Sequence, residues 1–237
     1  MKKNFLLILM FLLCAITGAN AQKKYSLYAV GFYNQENLFD TCHDEGKRDY
    51  DFLPNGSYKW NGLKYSHKLH NMAQALADLG TDKLPGVGCS VIGLSEVENS
   101  RVLDALISQP KLKERGYKYV HVEGPDKRGI DCAMLYNPRY FSVKDVHLSP
   151  YVPEEAKDSG VVTRGFLTVK GKMAGEPVAV IVCHWPSRFS SSYYREVAAR
   201  QVKKIKDSLI EADKNCKVMV MGDMNDTPNT PLSLIPI

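Results

Sequence analysis

The sequence contains no Cys-x-x-Cys pair and no Cys/His spacing of the kind that holds zinc, which excludes a zinc-stapled module. It has no internal repeat and no low-complexity linker, so a solenoid, an array or a tethered multidomain chain is excluded too. Charge of one sign is scarce: 31 Lys and Arg stand against 26 Asp and Glu, a formal net charge of +5. That excess is too small to argue for nucleic acid by itself. What is present is ordinary globular material, 44% hydrophobic and 24% charged over 237 residues, enough for one sizeable core and one domain.

Lys2 and Lys3 precede the apolar run Phe5 to Ile16, and Ala19-Asn20-Ala21 gives a small-x-small pattern before Gln22. The run is shorter than the roughly 20 residues that cross a bilayer. It reads as a secretory signal peptide over residues 1–21, with residues 22–237 as the mature domain, secreted or periplasmic and without membrane insertion after cleavage. Leu13 is bulky where a lipidated Cys14 would want a small neighbour. Removing Lys2 and Lys3 leaves +5 − 2 = +3, and removing Cys14 from the six cysteines leaves Cys42, Cys89, Cys132, Cys183 and Cys216. Four of these lie in or beside apolar runs, which predicts buried thiols rather than disulfides.

Tyr25 to Asn34 reads as a first strand, followed by an acidic, aromatic and turn-rich surface loop from Thr41 to Gly62. Leu69, Met72, Ala73, Leu76 and Leu79 recur at helical spacing within Lys64 to Leu79. A buried strand over Cys89 to Ser95 then leads to a helix capped near Asn99 or Ser100 and closed before Pro110. Tyr117–Glu123, Ile130–Tyr136, Phe141–Leu148, Thr163–Lys170 and Pro177–His184 read as strands without intervening helices, which implies antiparallel pairing. A helix over Ser192 to Ala212 and a strand over Lys217 to Met221 complete the pattern. The fold class is α/β, a two-layer β-sandwich of mixed sheets flanked by helices.

Four strand ends hand over polar side chains where an apolar run stops: Asn34 with Asn37, Glu96 with Glu98, His184, and Asp223 with Asn225. Each has a plainer reading. Asn34, Asn37, Asp223 and Asn225 suit turns, Glu98 suits the start of a helix, and a lone His is as often a core residue. Their joint recurrence at strand ends makes one shared site the better explanation. An oxygen-rich donor set of this kind suits Mg²⁺ or Mn²⁺ rather than zinc.

The stretches Phe32-Tyr33-Asn34-Gln35-Glu36-Asn37-Leu38-Phe39, Leu94-Ser95-Glu96-Val97-Glu98, Asp126-Lys127-Arg128-Gly129-Ile130-Asp131, Cys183-His184-Trp185-Pro186-Ser187-Arg188 and Gly222-Asp223-Met224-Asn225, in that order, resemble the endonuclease/exonuclease/phosphatase superfamily, and most closely its exported bacterial branch. The resemblance implies Glu96 as the acidic metal ligand, with Asn34 beside it supporting the metal or the phosphate. It implies His184 on the phosphoryl group, Asp223 orienting or deprotonating the attacking water, and Asn225 holding a phosphoryl oxygen. Asn37 and the arginines Arg128, Arg164 and Arg188 are the candidate substrate contacts, with Arg195 as a further phosphate clamp.

The implied activity is a Mg²⁺- or Mn²⁺-dependent phosphodiesterase of nuclease type, monomeric, with DNA among its candidate substrates. Phospholipid or inositol-phosphate head groups are the alternative substrates, since aromatics populate the Tyr50 to Trp60 loop, and a non-catalytic phosphate-binding module is the alternative class. The family pattern continues past the Gly-Asp-x-Asn strand to a closing Ser-Asp-His, which this sequence lacks. The expectation is therefore a fragment of a longer protein, with the C-terminal part of the fold missing; the alternative is a truncated protein that binds phosphate without turnover.

Overall fold

The computed structural model describes residues 26–155 and 160–227. The signal-peptide reading and the first residue of the expected first strand, Tyr25, lie outside that range. Among the described residues, eight strands form two sheets of four. The first holds β1 (Ala29–Leu38), β2 (Cys89–Val97), β4 (Asp131–Tyr136) and β3 (Lys118–His121), in the order β1-β2-β4-β3. The second holds β5 (Phe141–Ser149), β6 (Phe166–Met173), β7 (Glu176–His184) and β8 (Lys217–Asp223), in chain order.

Between the sheets, Val91, Cys132 and Met134 of the first meet Phe141, Leu167, Val169, Val180 and Val182 of the second. On the outer face of the first sheet lie α1 (Gly62–Asp78), α2 (Ser100–Ile107) and α3 (Pro110–Arg115). Leu69, Leu76, Leu103, Leu106 and Leu112 from these helices cover Ile92, Leu94 and Leu135. The outer face of the second sheet is covered by α4 (Ser192–Ala212), through Val197, Ala198 and Val202 on Ile181 and Cys183. Strand β2 is buried on both faces, which is why its sequence is a continuous apolar run and not an alternating one.

Helices begin where the cap chemistry allows. The Asn61 side chain accepts from Lys64 N–H at the start of α1, and Asn99 accepts from Val102 N–H at the start of α2. Pro110 opens α3, a short helix that the sequence reading did not contain. Antiparallel pairing holds for β3 with β4, for β5 with β6 and for β6 with β7, but β4 and β5 separate into different sheets. The expected antiparallel run is corrected there: Asn137 to Tyr140 make a turn that carries the chain from one layer to the other.

Two pairs are parallel, β1 with β2 and β7 with β8, each joined by a crossover through α1 or α4. Their carboxyl ends point the same way and meet, because β1 lies against β8 and β2 against β7. Polar residues at those ends are thereby gathered into one place.

The Thr41–Gly62 segment is a loop, as expected, but a tied one. It contains a 3-10 turn at Tyr50–Phe52, Phe52 stacks on Phe39 with ring centroids 4.2 Å apart, and Trp60 Nε1 donates to Phe39 O at 3.0 Å. Two of its aromatics thus face the protein, while Tyr50 and Tyr58 remain exposed. The five cysteines among the described residues are free, with Cys89, Cys132 and Cys183 buried, Cys216 half-buried and Cys42 exposed.

Candidate active site

One end of the site is built from backbone shape. Strand β1 does not stop at Asn34 but bulges: Asn34 pairs with Ser95 and Leu38 with Val97, so three residues of β1 oppose Glu96 alone. Glu36, Asn37 and Glu96 all adopt left-handed backbone, with φ of 50°, 60° and 59°. Such conformations cost on the order of 1 kcal/mol or more each in non-glycine residues and cluster where function requires them.

The bulge aims donors at the Glu96 carboxylate. Asn37 N–H reaches Glu96 Oε2 at 2.9 Å, and Asn34 Nδ2 reaches Glu96 Oε1 at 3.3 Å. The same Asn34 amide donates to Asp223 Oδ2 at 3.0 Å, so it bridges carboxylates from the two sheets. Asp223 Oδ1 accepts from Asn225 N–H at 2.9 Å. Gly222 permits this closure, since a Cβ there would run into the Cys183 carbonyl oxygen of the neighbouring strand.

The other end is built from buried side-chain pairs. Arg164 NH1 donates to Asp126 Oδ2 at 3.1 Å and Arg164 NH2 to Trp185 O at 3.3 Å, with both Arg164 and Asp126 buried. Asp126 Oδ1 accepts Arg128 N–H at 2.8 Å, which places Arg128 over the same cleft. Asn225 Nδ2 donates to Trp185 O at 3.0 Å. His184 Nε2 lies 3.6 Å from Glu96 Oε1. Burial, with Arg164 and Arg128 nearby, drives its pKa down to about 3 against the opposing pull of Asp223. His184 is therefore a neutral hydrogen-bonding group at ordinary pH, not a standing acid.

These residues line a cleft of about 560 Å³ that includes Glu96, Asp126, Arg128, Thr163, Arg164, His184 and Asn225. Three buried polar atoms of its lining residues, Thr163 Oγ1, Arg164 Nε and His184 Nδ1, have no hydrogen-bond partner among the described residues. Buried unsatisfied donors in a cleft are the mark of a place that receives a polar ligand. A larger hollow of about 860 Å³ lies on the outer face of the second sheet beside α4, but it contains none of these groups.

Several expected residues go elsewhere. Asn37 serves Glu96 through its backbone N–H, and its side chain does not line the cleft. Arg195 is corrected from a phosphate clamp to a loop fastener: it is buried and bonds Asp226 at 3.0 Å together with the Ser187 and Ser190 carbonyls. Arg188 is exposed and touches the Asn225 carbonyl at 3.3 Å, next to the cleft. Glu98 is not a helix-end charge but a buried carboxyl that accepts Asp40 N–H at 2.7 Å. Asp126 and Thr163 are the cleft residues that were missed; Asp126 lay inside a quoted motif, whereas Thr163 carried no signal beyond its neighbour Arg164.

Among the described residues, no three or more His, Cys, Asp or Glu side chains gather as a ready-made metal cage. A Mg²⁺-like ion does not need one, since it is held by one or two carboxylates and keeps much of its water. Glu96 and Asp223, both bonded to one amide group, fit that description, with oxygen donors only. Asn34 turns its amide nitrogen to the two carboxylates and its Oδ1 to Glu36 N–H at 2.7 Å, so here it spaces the acids and offers no oxygen to an ion.

The chain is thus an α/β sandwich with a strand-end cleft that sets Glu96 at one end and two guanidiniums at the other. Residues 29–234 match the model of the endonuclease/exonuclease/phosphatase family, and the chain belongs to that family. Solved structures agree on the fold. ANGEL2, a 2′,3′-cyclic phosphatase, superposes with a TM-score of 0.57 at 18% identity, over 72% of this chain and 46% of that one. TDP2 from C. elegans gives 0.52 at 16% identity, over 76% and 47%. This chain thus spans about half the length of either. No curated protein matches the sequence.

Proposed function

We propose that the protein is a divalent-metal-dependent phosphoester hydrolase that cleaves phosphodiesters by in-line attack of water. One observation carries this reading: residues from five separated stretches line one cleft, with Glu96, tied through Asn34 to Asp223, at one end and guanidiniums at the other. Glu96, with Asp223 opposite, would hold Mg²⁺ or Mn²⁺, which supplies Lewis-acid stabilisation of charge on the phosphoryl oxygens. Asp223 orients and deprotonates the attacking water; its two oxygens are held by Asn34 and Asn225 in readiness for that role. Neutral His184 donates a hydrogen bond to a phosphoryl oxygen, and Asn225, Arg128 and Arg164 hold the others. Preorganised donors of this kind stabilise charge that develops in the transition state.

The protein is proposed to act after export, as a monomer, with DNA as the leading substrate. Hydrolysis of lipid head groups is the second reading. Phe189, fully exposed on the rim of the cleft beside Val162, favours it.

Assays with bis(p-nitrophenyl) phosphate, DNA and phospholipid vesicles, each with Mg²⁺ and with chelator, test the proposal. Hydrolysis that stops on chelation is expected, with DNA preferred over vesicles. Turnover that survives chelation contradicts the metal requirement, and phosphate-dependent thermal stabilisation without any hydrolysis makes the protein a binding module.

A further inference from the structure

The bulge between Asn34 and Leu38 carries two left-handed residues, Glu36 and Asn37, side by side. Left alone, such a segment relaxes toward an ordinary strand, and a register change there moves every side chain it presents. Its internal bonds are local ones: Gln35 Nε2 to Tyr33 O at 3.2 Å, Glu36 N–H to Asn34 Oδ1 at 2.7 Å, and Phe39 N–H to Asn37 O at 3.1 Å. Among the described residues, one side chain from outside the sheet fastens it. Lys68 on α1 donates from Nζ to the Glu36 carbonyl at 2.8 Å.

We propose that Lys68 is a positioning residue for the acidic end of the site. Resting on the functional reading above, the chain of contacts is short. The ammonium holds the Glu36 carbonyl, and that hold fixes the left-handed pair. The pair sends Asn37 N–H to Glu96 Oε2, and Asn34, at the start of the bulge, to Glu96 Oε1 and Asp223 Oδ2. Lys68 also sets a positive charge within reach of both Glu36 and Glu96, from α1 and without lining the cleft itself. It touches neither Asp223 nor His184 and takes no part in bond breaking. Its stem lies half-buried on α1, one residue from the core residue Leu69, so the helix that covers the sheet also sets the shape of the site.

The test uses Lys68→Met, which keeps the stem and removes the ammonium, and Lys68→Arg, which restores a donor. Two readouts are taken on each: hydrogen exchange of the Asn37 amide without metal, and Mn²⁺ affinity by calorimetry. Lys68→Met is expected to speed Asn37 exchange and weaken Mn²⁺ binding about 10-fold, the usual range for a group that orients a metal ligand. Lys68→Arg is expected to recover most of both, with melting temperatures close to wild type. Unchanged Asn37 exchange and unchanged Mn²⁺ affinity in Lys68→Met overturn the proposal. If wild type binds no Mn²⁺ while Lys68→Met still releases the Asn37 amide, Lys68 positions the bulge as proposed and the metal reading is what fails.

Discussion

The two ends of the cleft are held in shape by different means. At the acidic end, backbone conformation does the holding: three left-handed residues and a bulge aim N–H groups at Glu96, and a single amide bridges to Asp223. At the basic end one non-glycine residue, Asn225, is left-handed, and a buried ion pair, Arg164 with Asp126, fixes the geometry while other donors are left unsatisfied. The contrast has a chemical reason. Two carboxylates brought together repel, and they stay paired only if neutral donors are fixed between them. A guanidinium needs one buried carboxylate to stay in place and can then turn its remaining N–H groups to a ligand. Substitutions at the acidic end should therefore cost activity, and substitutions in the basic-end pair should cost stability.

The largest effect is expected at the acidic end. Glu96→Gln and Asp223→Asn should each lower turnover on the order of a thousandfold, the scale for losing a preorganised charge-stabilising group, with little change in melting temperature. Rates near wild type in either variant would break the comparison. Asp126→Ala should do the reverse in kind. It leaves Arg164 buried and unpaired, for a loss of about 3 kcal/mol in denaturant unfolding. A variant as stable as wild type would mean that Arg164 is not held as described.

The smallest effect concerns Glu98, next to the acidic end. Burial, together with Asp40 and Asp44, pushes its carboxyl up to about 8 against the hydrogen bond from Asp40 N–H. The folded protein then keeps a proton that the unfolded chain gives up near 4.5, so this contribution is full below pH 4.5 and is lost as pH rises toward 8. Glu98→Gln should flatten that slope, melting about 4 °C higher than wild type at pH 8 and level with it at pH 4.5, measured in chelator. Equal melting curves at both pH values would remove Glu98 from the buried set.

The difference between the two ends also explains what was legible in the sequence. Apolar runs ending in polar residues located β2, β7 and β8, and the helix over Ser192 to Ala212 was found with its observed bounds. Period and punctuation are local properties, so they survive in sequence. The β1 bulge does not, because Gln35-Glu36-Asn37 looks like any polar turn and its left-handed residues are held by Glu96 and Lys68, far away in the chain. Arg195 and Arg164 looked alike as candidates. Only tertiary contacts separate them: one is spent on Asp226 and two carbonyls, the other faces the cleft. The switch of sheets after β4 was equally hidden, since a turn between antiparallel strands and a turn between layers use similar residues.

The central claim is that the acidic end takes a hard divalent cation and the basic end takes the phosphate. Anomalous diffraction from crystals grown with Mn²⁺ and phosphate tests both at once. A manganese peak against the Glu96 and Asp223 carboxylates, with phosphate against Arg128, Arg164 and His184, is the predicted result. A peak elsewhere on the protein at saturating Mn²⁺, or none, would contradict it.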